Sequence, residues 1–168
     1  FSTTTHKDLM FFTSRGRAFQ LKAYDVPEAS RTAKGQALVN FLELAPGEKL
    51  SAVLSLDDMA AMKYLVMVTN KGTVKKTSLE DFANVRRSGL IAIKLREGDN
   101  LEWVKPSTGK DDVILVTSNG QSIRMSEADT RPMGRVASGT RGIRMKGADE
   151  VVGMDVLPNK TKEGEYQL

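Results

Sequence analysis

Val113-Ile114-Leu115-Val116-Thr117-Ser118-Asn119-Gly120 is the stretch that decides the fold. Four apolar residues run into Thr, and Ser-Asn-Gly closes the run. A short apolar segment ending in a polar, glycine-bearing turn reads as a buried strand entering a hairpin. Glycine suits the last position because a tight turn asks for positive φ there. The pattern occurs twice more, as Leu65-Val66-Met67-Val68-Thr69-Asn70-Lys71-Gly72 and Leu9-Met10-Phe11-Phe12-Thr13-Ser14-Arg15-Gly16. The three glycines lie 56 and then 48 residues apart.

Agreement between the copies extends downstream. A second strand follows each turn, at Ala18-Phe19-Gln20-Leu21, Thr73-Val74-Lys75-Lys76 and Gln121-Ser122-Ile123-Arg124. A basic loop comes next and ends at Gly35, Gly89 or Gly139. Third strands are expected at Ala37-Leu38-Val39, Leu90-Ile91-Ala92-Ile93 and Gly142-Ile143-Arg144-Met145. After another turn, fourth strands are expected at Leu50-Ser51-Ala52-Val53, Leu101-Glu102-Trp103-Val104 and Val151-Val152-Gly153-Met154. A four-stranded unit repeating about every 50 residues is the signature of a propeller blade. The fold class expected is therefore all-β and propeller-like, with blade units at 8–60, 63–110 and 111–157 of one partial domain, and 158–168 as a linker and the start of a next blade. The extra length of the first interval, around Asp57 to Lys63, is a loop or one short helical turn. Three blades are fewer than the four to eight of a closed propeller, so exposed edges and self-association through them are expected.

Composition removes several functional classes. The 168 residues contain no cysteine, which excludes disulfides, thiolate metal sites and thiol nucleophiles. That suits a reducing compartment, and the expected location is the cytoplasm, at the nucleoid. No apolar run approaches the roughly 20 residues of a membrane span. The single histidine, His6, has no partners for a metal site or a catalytic triad, and no phosphate-binding glycine motif is present. The pairs Asp57-Asp58 and Asp111-Asp112 read as solvated turn residues. Trp103 and the methionines read as packing residues. No catalytic residue, metal or cofactor is assigned to this chain.

The charge is segregated along the repeat. The net charge is +4, yet segments 13–35, 69–89 and 117–142 together carry 14 Lys and Arg against 6 Asp and Glu. Equivalent positions in successive blades occupy equivalent places around a disc, so this excess forms a basic band along the rim. Such a band can follow a bent duplex by neutralising phosphates, without reading bases. The candidate DNA-binding residues are Arg31 and Lys34, Arg86 and Arg87, and Arg131 and Arg135 in the basic loops. Lys75, Lys76 and Arg124 on the second strands, Arg15, Arg17 and Lys71 beside the first turns, and Arg141 complete the set. A propeller that binds protein partners is the alternative from another class, since fold alone does not settle function.

Several stretches carry a resemblance to a known family. Phe11-Phe12-Thr13-Ser14-Arg15-Gly16-Arg17, Val26-Pro27-Glu28-Ala29-Ser30-Arg31, Gly72-Thr73-Val74-Lys75-Lys76-Thr77, Arg131-Pro132-Met133-Gly134-Arg135 and Asp149-Glu150-Val151-Val152-Gly153-Met154-Asp155 resemble the C-terminal domain of the DNA gyrase A polypeptide. The resemblance implies a β-pinwheel, normally six-bladed, whose blades exchange a strand and whose basic rim wraps DNA. It further implies a parent type II topoisomerase that supercoils DNA negatively, with ATP and Mg2+ used elsewhere in that enzyme. The implied partners are double-stranded DNA, the rest of the gyrase A polypeptide, and the gyrase B polypeptide, with no membrane. The related domain of the homologous topoisomerase IV polypeptide is the near alternative. The family's Gln-Arg-Arg-Gly-Gly-x-Gly box is not in this sequence; Val85-Arg86-Arg87-Ser88-Gly89 is a degenerate relative. That departure puts the wrapping in question rather than the binding.

Overall fold

The computed structural model describes residues 3–30, 32–55, 61–86 and 88–159. These form eleven strands and a few single-turn 3-10 segments. In the first repeat the strands are β1 (Asp8–Thr13), β2 (Arg17–Lys22) and β3 (Leu50–Ser55). The second contributes β4 (Tyr64–Thr69), β5 (Thr73–Ser78), β6 (Leu90–Ile91) and β7 (Leu101–Ser107). The third contributes β8 (Asp112–Thr117), β9 (Ser122–Ser126), β10 (Thr140–Arg141) and β11 (Val151–Leu157). The first, second and fourth strands of every repeat thus form where the apolar runs and glycine turns place them.

The third strands behave differently. The sheet orders are β3-β1-β2-β6, β10-β5-β4-β7 and β11-β8-β9. The third strands of the second and third repeats, β6 and β10, leave their own repeat and complete the sheet of the repeat before it. β6 sets Ile91 opposite Arg17 and Leu90 opposite Ala18, and β10 sets Arg141 opposite Thr73 and Thr140 opposite Val74. The joint is tightest at the first-turn glycines. The Gly16 carbonyl accepts from the N–H groups of Ala92 (2.8 Å) and Ile93 (3.1 Å), and that of Gly72 from Gly142 (2.9 Å) and Ile143 (3.4 Å).

Packing follows the alternation of side chains across a strand. One face of the first sheet, with Met10, Phe12 and Ala18, meets Leu65, Met67 and Ile93 in a buried cluster. The next cluster joins Val66, Val68 and Val74 of the second sheet to Val113, Leu115 and Ile143. A third lies on the outer face of the first sheet, where Leu9, Phe11, Phe19 and Leu21 surround Leu42. Leu42 therefore occupies the position that Ile93 and Ile143 hold in the other repeats. This corrects the expected third strand at Ala37-Leu38-Val39. The equivalent residues lie three further on, and Leu38–Asn40 is a 3-10 turn. Among the described residues it pairs with no sheet. The other two exchanged strands also start where an acceptor strand is present, which places β10 two residues ahead of the expected Gly142.

A hydrogen-bonded clamp repeats beneath each first turn. Thr13 donates to the Glu48 carboxylate, and Thr69 donates to Asp99 at 2.9 Å. At the third turn, Ser118 and the Asn119 N–H donate to Asp149 at 2.8 and 3.0 Å. These carboxylates are buried, so their bonds tie the first turn to the start of the fourth strand at little desolvation cost. The expectation that Asp111 and Asp112 are solvated also changes. Asp111 is buried and accepts from the Thr108 N–H at 2.7 Å, and Asp112 pairs with Arg124. Asp57 and Asp58 lie outside the described residues.

Successive first-turn glycines are not equally crowded. A Cβ on Gly16 would lie 2.5 Å from the Ile93 carbonyl oxygen, whereas one on Gly120 would meet nothing within 4 Å. Both have φ above +70°. Both Ala variants incur the left-handed backbone cost of about 1–2 kcal/mol, and Gly16→Ala adds a packing clash of roughly 1–3 kcal/mol. Thermal unfolding should show Gly16→Ala clearly less stable than Gly120→Ala; equal losses would mean that the exchanged strand does not bear on that turn.

Candidate nucleic-acid interface

The placement of the basic residues starts from where the sheets converge. Neighbouring fourth strands pack together, β3 on β7 and β7 on β11. Ser51 donates to the Leu101 carbonyl at 2.6 Å, and Lys105 pairs with Asp155 at 2.7 Å. The opposite edge of the first two sheets is formed by the exchanged strands β6 and β10. The packed fourth strands define an inner margin and the exchanged strands, at the opposite edge of their sheets, an outer one.

The basic loops run along that outer margin, each crossing the sheet before its own. Arg17 Nη2 donates to the Ser88 carbonyl at 3.0 Å, holding the second loop against the first sheet. The Met133 N–H donates to the Lys76 carbonyl at 2.8 Å, and Gly139 is so close that a Cβ would lie 2.7 Å from the Val74 oxygen. Arg86 of the second loop and Arg131 of the third are exposed, as are Arg141 on β10 and Lys34 in the first loop. Among the described residues Arg86, Arg131 and Arg141 form no ion pair. Arg135 is half-buried, and its carbonyl is occupied by Lys75. Arg31 and Arg87 lie outside the described residues.

Other sequence candidates are engaged by the protein itself. Arg15 and Lys71 are exposed, but each donates to a carbonyl, Arg15 to Pro46 at 2.7 Å and Lys71 to Glu97 at 3.2 Å. Arg17 is held by the Glu48 carboxylate at 3.0 Å and the Glu43 carbonyl at 3.1 Å, with its guanidinium 4.6 Å above the Phe19 ring. Arg124 pairs with Asp112 at 2.7 Å.

Lys75 and Lys76 require correction. Both are buried. Adjacent strand residues point to opposite faces, so they enter the two interfaces that flank the second sheet. The Lys75 ammonium donates to the carbonyls of Ala92 (2.7 Å) and Arg135 (2.5 Å). That of Lys76 donates to the Glu127 carbonyl (2.6 Å) and sits 5.1 Å from the Tyr64 ring centre. They staple loops to the sheet, and neither ammonium faces outward to a phosphate.

Four cations that the sequence reading passed over join the outer margin. Lys94 and Arg96 follow β6, Arg144 and Lys146 follow β10, and all four are exposed. The Lys94 N–H donates to the Ala137 carbonyl at 3.2 Å, which sets this segment beside the third basic loop. A signal was present in Ile93-Lys94-Leu95-Arg96 and Ile143-Arg144-Met145-Lys146, where basic residues alternate with apolar ones. The first repeat breaks the pattern with Glu43 and Ala45. Among the described residues no cluster of His, Cys, Asp or Glu could hold a metal, and no helix is long and apolar enough to cross a membrane.

Fold and charge together define a β-pinwheel-type domain, a propeller whose sheets trade strands and whose outer margin is basic. The family model for the DNA gyrase C-terminal domain, beta-propeller, matches residues 7–57, 63–108 and 111–158, so the chain belongs to that family. It is 49% identical over 142 residues to the DNA gyrase A polypeptide of Clostridium acetobutylicum, covering 84% of this chain and 17% of that protein. It is 42% identical over 170 residues to the same polypeptide of Mycobacterium tuberculosis, covering 100% of this chain and 20% of that protein. The chain thus spans about a fifth of the length of these curated relatives. The crystal structure of the C-terminal domain of DNA topoisomerase IV superposes with a TM-score of 0.83 at 26% identity, covering 94% of this chain and 49% of that one.

Burial pulls the Lys75 pKa down from 10.5 to about 8, against the opposing pull of Asp81. A lysine whose folded pKa is lowered penalises the fold wherever it is charged in both states, that is below about pH 8. Between there and its unfolded value the unfolded chain binds more protons, so stability rises with pH. Melting temperatures of the unsubstituted chain and of Lys75→Met at pH 7 and pH 10 should show the former gaining on the latter at the higher pH. Parallel behaviour would mean that the buried ammonium is not strained.

Proposed function

We propose that this domain binds duplex DNA along its outer margin without sequence preference and serves a DNA gyrase as its DNA-wrapping part. The observation that carries this reading is the set of exposed arginines Arg86, Arg131 and Arg141, which form no ion pair among the described residues and lie on segments that cross successive sheets at the same margin. Lys94 and Arg144 extend it. An excess of like charge along one margin attracts a polyanion. Arginine adds a planar fork that grips two phosphate oxygens at once. Recognition helices are missing from the described residues, so the binding is to backbone rather than to bases. A curved series of such margins favours a bent duplex over a straight one.

The finer reading places the domain in a type II topoisomerase that supercoils DNA negatively. In that enzyme the rest of the gyrase A polypeptide and the gyrase B polypeptide supply strand passage, and ATP and Mg2+ act there rather than here. Identity to gyrase relatives supports gyrase over topoisomerase IV, although the topoisomerase IV domain is close in fold.

Duplex DNA titrated at several salt concentrations tests the reading. The logarithm of the binding constant should fall with the logarithm of salt by about 0.9 per neutralised phosphate. Arg86→Ala combined with Arg131→Ala should flatten that slope by roughly 1–2 while leaving the melting temperature unchanged. Salt-independent binding, or an unaltered slope in the double variant, would remove the outer margin from the interface.

A further inference from the structure

One buried cation lies where two exchanged segments meet. Lys75 on β5 is fully buried beneath Gly139, which closes the third basic loop; a Cβ on that glycine would lie 3.0 Å from the Lys75 Cβ. The equivalent position in the first sheet is Phe19, since Arg17 faces Ile91 as Thr73 faces Arg141. Phe19 seats Gly89 of the second loop in the same way, with 2.7 Å between its ring and a Cβ on that glycine. An apolar side chain therefore suffices to pack beneath a loop-closing glycine. An ammonium there adds a desolvation cost that packing does not require.

The ammonium forms a bridge. It donates to the Ala92 carbonyl at 2.7 Å and to the Arg135 carbonyl at 2.5 Å. Ala92 follows β6, on the segment that the second repeat delivers to the first sheet. Arg135 lies in the loop that the third repeat lays across the second sheet. A single nitrogen thus joins the delivered segments of two successive sheets. The Lys94 N–H, donating to the Ala137 carbonyl at 3.2 Å, is a second link between them. Arg135 and Val136 are the corners of a turn that the Ala137 N–H closes on the Gly134 carbonyl at 3.1 Å. With a pKa of about 8, Lys75 is mostly charged at neutral pH, and a charged donor forms bonds about twice as strong as a neutral one. At the first joint the loop is held from another position, where Arg17 reaches over Phe19 to the Ser88 carbonyl.

We propose that Lys75 is a positioning residue for DNA: it fixes the 134–137 turn against the segment that carries Lys94 and Arg96, and so sets the spacing between cations of neighbouring sheets. This role rests on the nucleic-acid reading of the outer margin. With no exposed surface, Lys75 touches no phosphate and acts through Arg131 and Arg135. A duplex engages cations on successive sheets together only when their separation suits its phosphates. A turn released from Lys75 samples other separations, and ordering it again on binding costs affinity.

A double-mutant cycle tests the role. Lys75→Met keeps the seat filled with a chain of similar length and removes the bridge. At a temperature where melting curves show it folded, it should weaken duplex binding about fivefold and lower the salt slope by roughly 1. In a background of Arg131→Ala with Arg135→Ala, the same change should shift affinity by less than about twofold. In an Arg86→Ala background the full loss should persist. A merely structural role would weaken binding equally in every background. Ala137→Pro removes the N–H that closes the turn without altering β5. It should reproduce the pattern, and it takes the place of Lys75→Met if that variant does not fold. Unchanged affinity, or an equal loss in the background lacking Arg131 and Arg135, would overturn the positioning role. A variant lacking both arginines that binds as tightly as the unsubstituted chain would overturn it too, and would place the failure in the nucleic-acid reading instead.

Discussion

The structure depends on the fact that no repeat can finish its own sheet. A three-stranded unit leaves the second strand with unpaired N–H and C=O groups along its outer side, and these find partners only in the third strand of the repeat that follows. The Gly16 and Gly72 carbonyls mark the joint, each taking two N–H donors from the incoming chain. Covalent order and sheet order therefore differ, and adjacent units are bound by backbone hydrogen bonds as well as by apolar packing. Repeat architectures gain their stability from such neighbour interfaces.

This exchange also determines which charges reach solvent. A loop that must deliver a strand to the preceding sheet is drawn along the outer margin, and its arginines come with it. Residues on the second strand are drawn the other way. Lys75 and Lys76 sit on a strand pressed between two neighbours, where a buried ammonium needs carbonyl partners to offset its desolvation. Both have them, and their ammonium groups hold the loop that carries Arg131 and Arg135. Basic residues in this chain thus include some whose ammonium groups are buried against carbonyls, such as Lys75 and Lys76, and others exposed on the loops, such as Arg86 and Arg131.

Beneath the turns, the acidic residues do comparable work. Burial alone would raise the Glu48 carboxyl, but the Thr13 hydroxyl, the Ala45 N–H and the Arg17 guanidinium outweigh it and hold it below the usual carboxylate range. Asp149 is lowered likewise, its burial being outweighed by the hydroxyls of Ser118 and Thr117 and the N–H groups of Asn119 and Glu150. The acidic excess outside the basic segments is therefore partly taken up in holding first turns to fourth strands.

Much of the fold was legible in the chain. Apolar quartets closed by Thr and Gly specify β1, β4 and β8 because strand burial and tight turns depend on local residue type. Leucine and valine at positions 50, 101 and 151 mark the fourth strands for the same reason. The site was legible in part: the excess of positive charge in three segments is a property of composition. Tertiary structure alone decided the rest. Whether Lys76 or Arg131 meets solvent depends on which sheet lies beside it, and no short-range pattern encodes that. The third strand of the first repeat escapes a reading by pattern because length differences between Gly35 and Leu42 hide the register, which only the burial of Leu42 against Phe11 and Phe19 reveals. Local chemistry determined the strands and turns of this chain; their partners were settled by contacts between residues tens of positions apart.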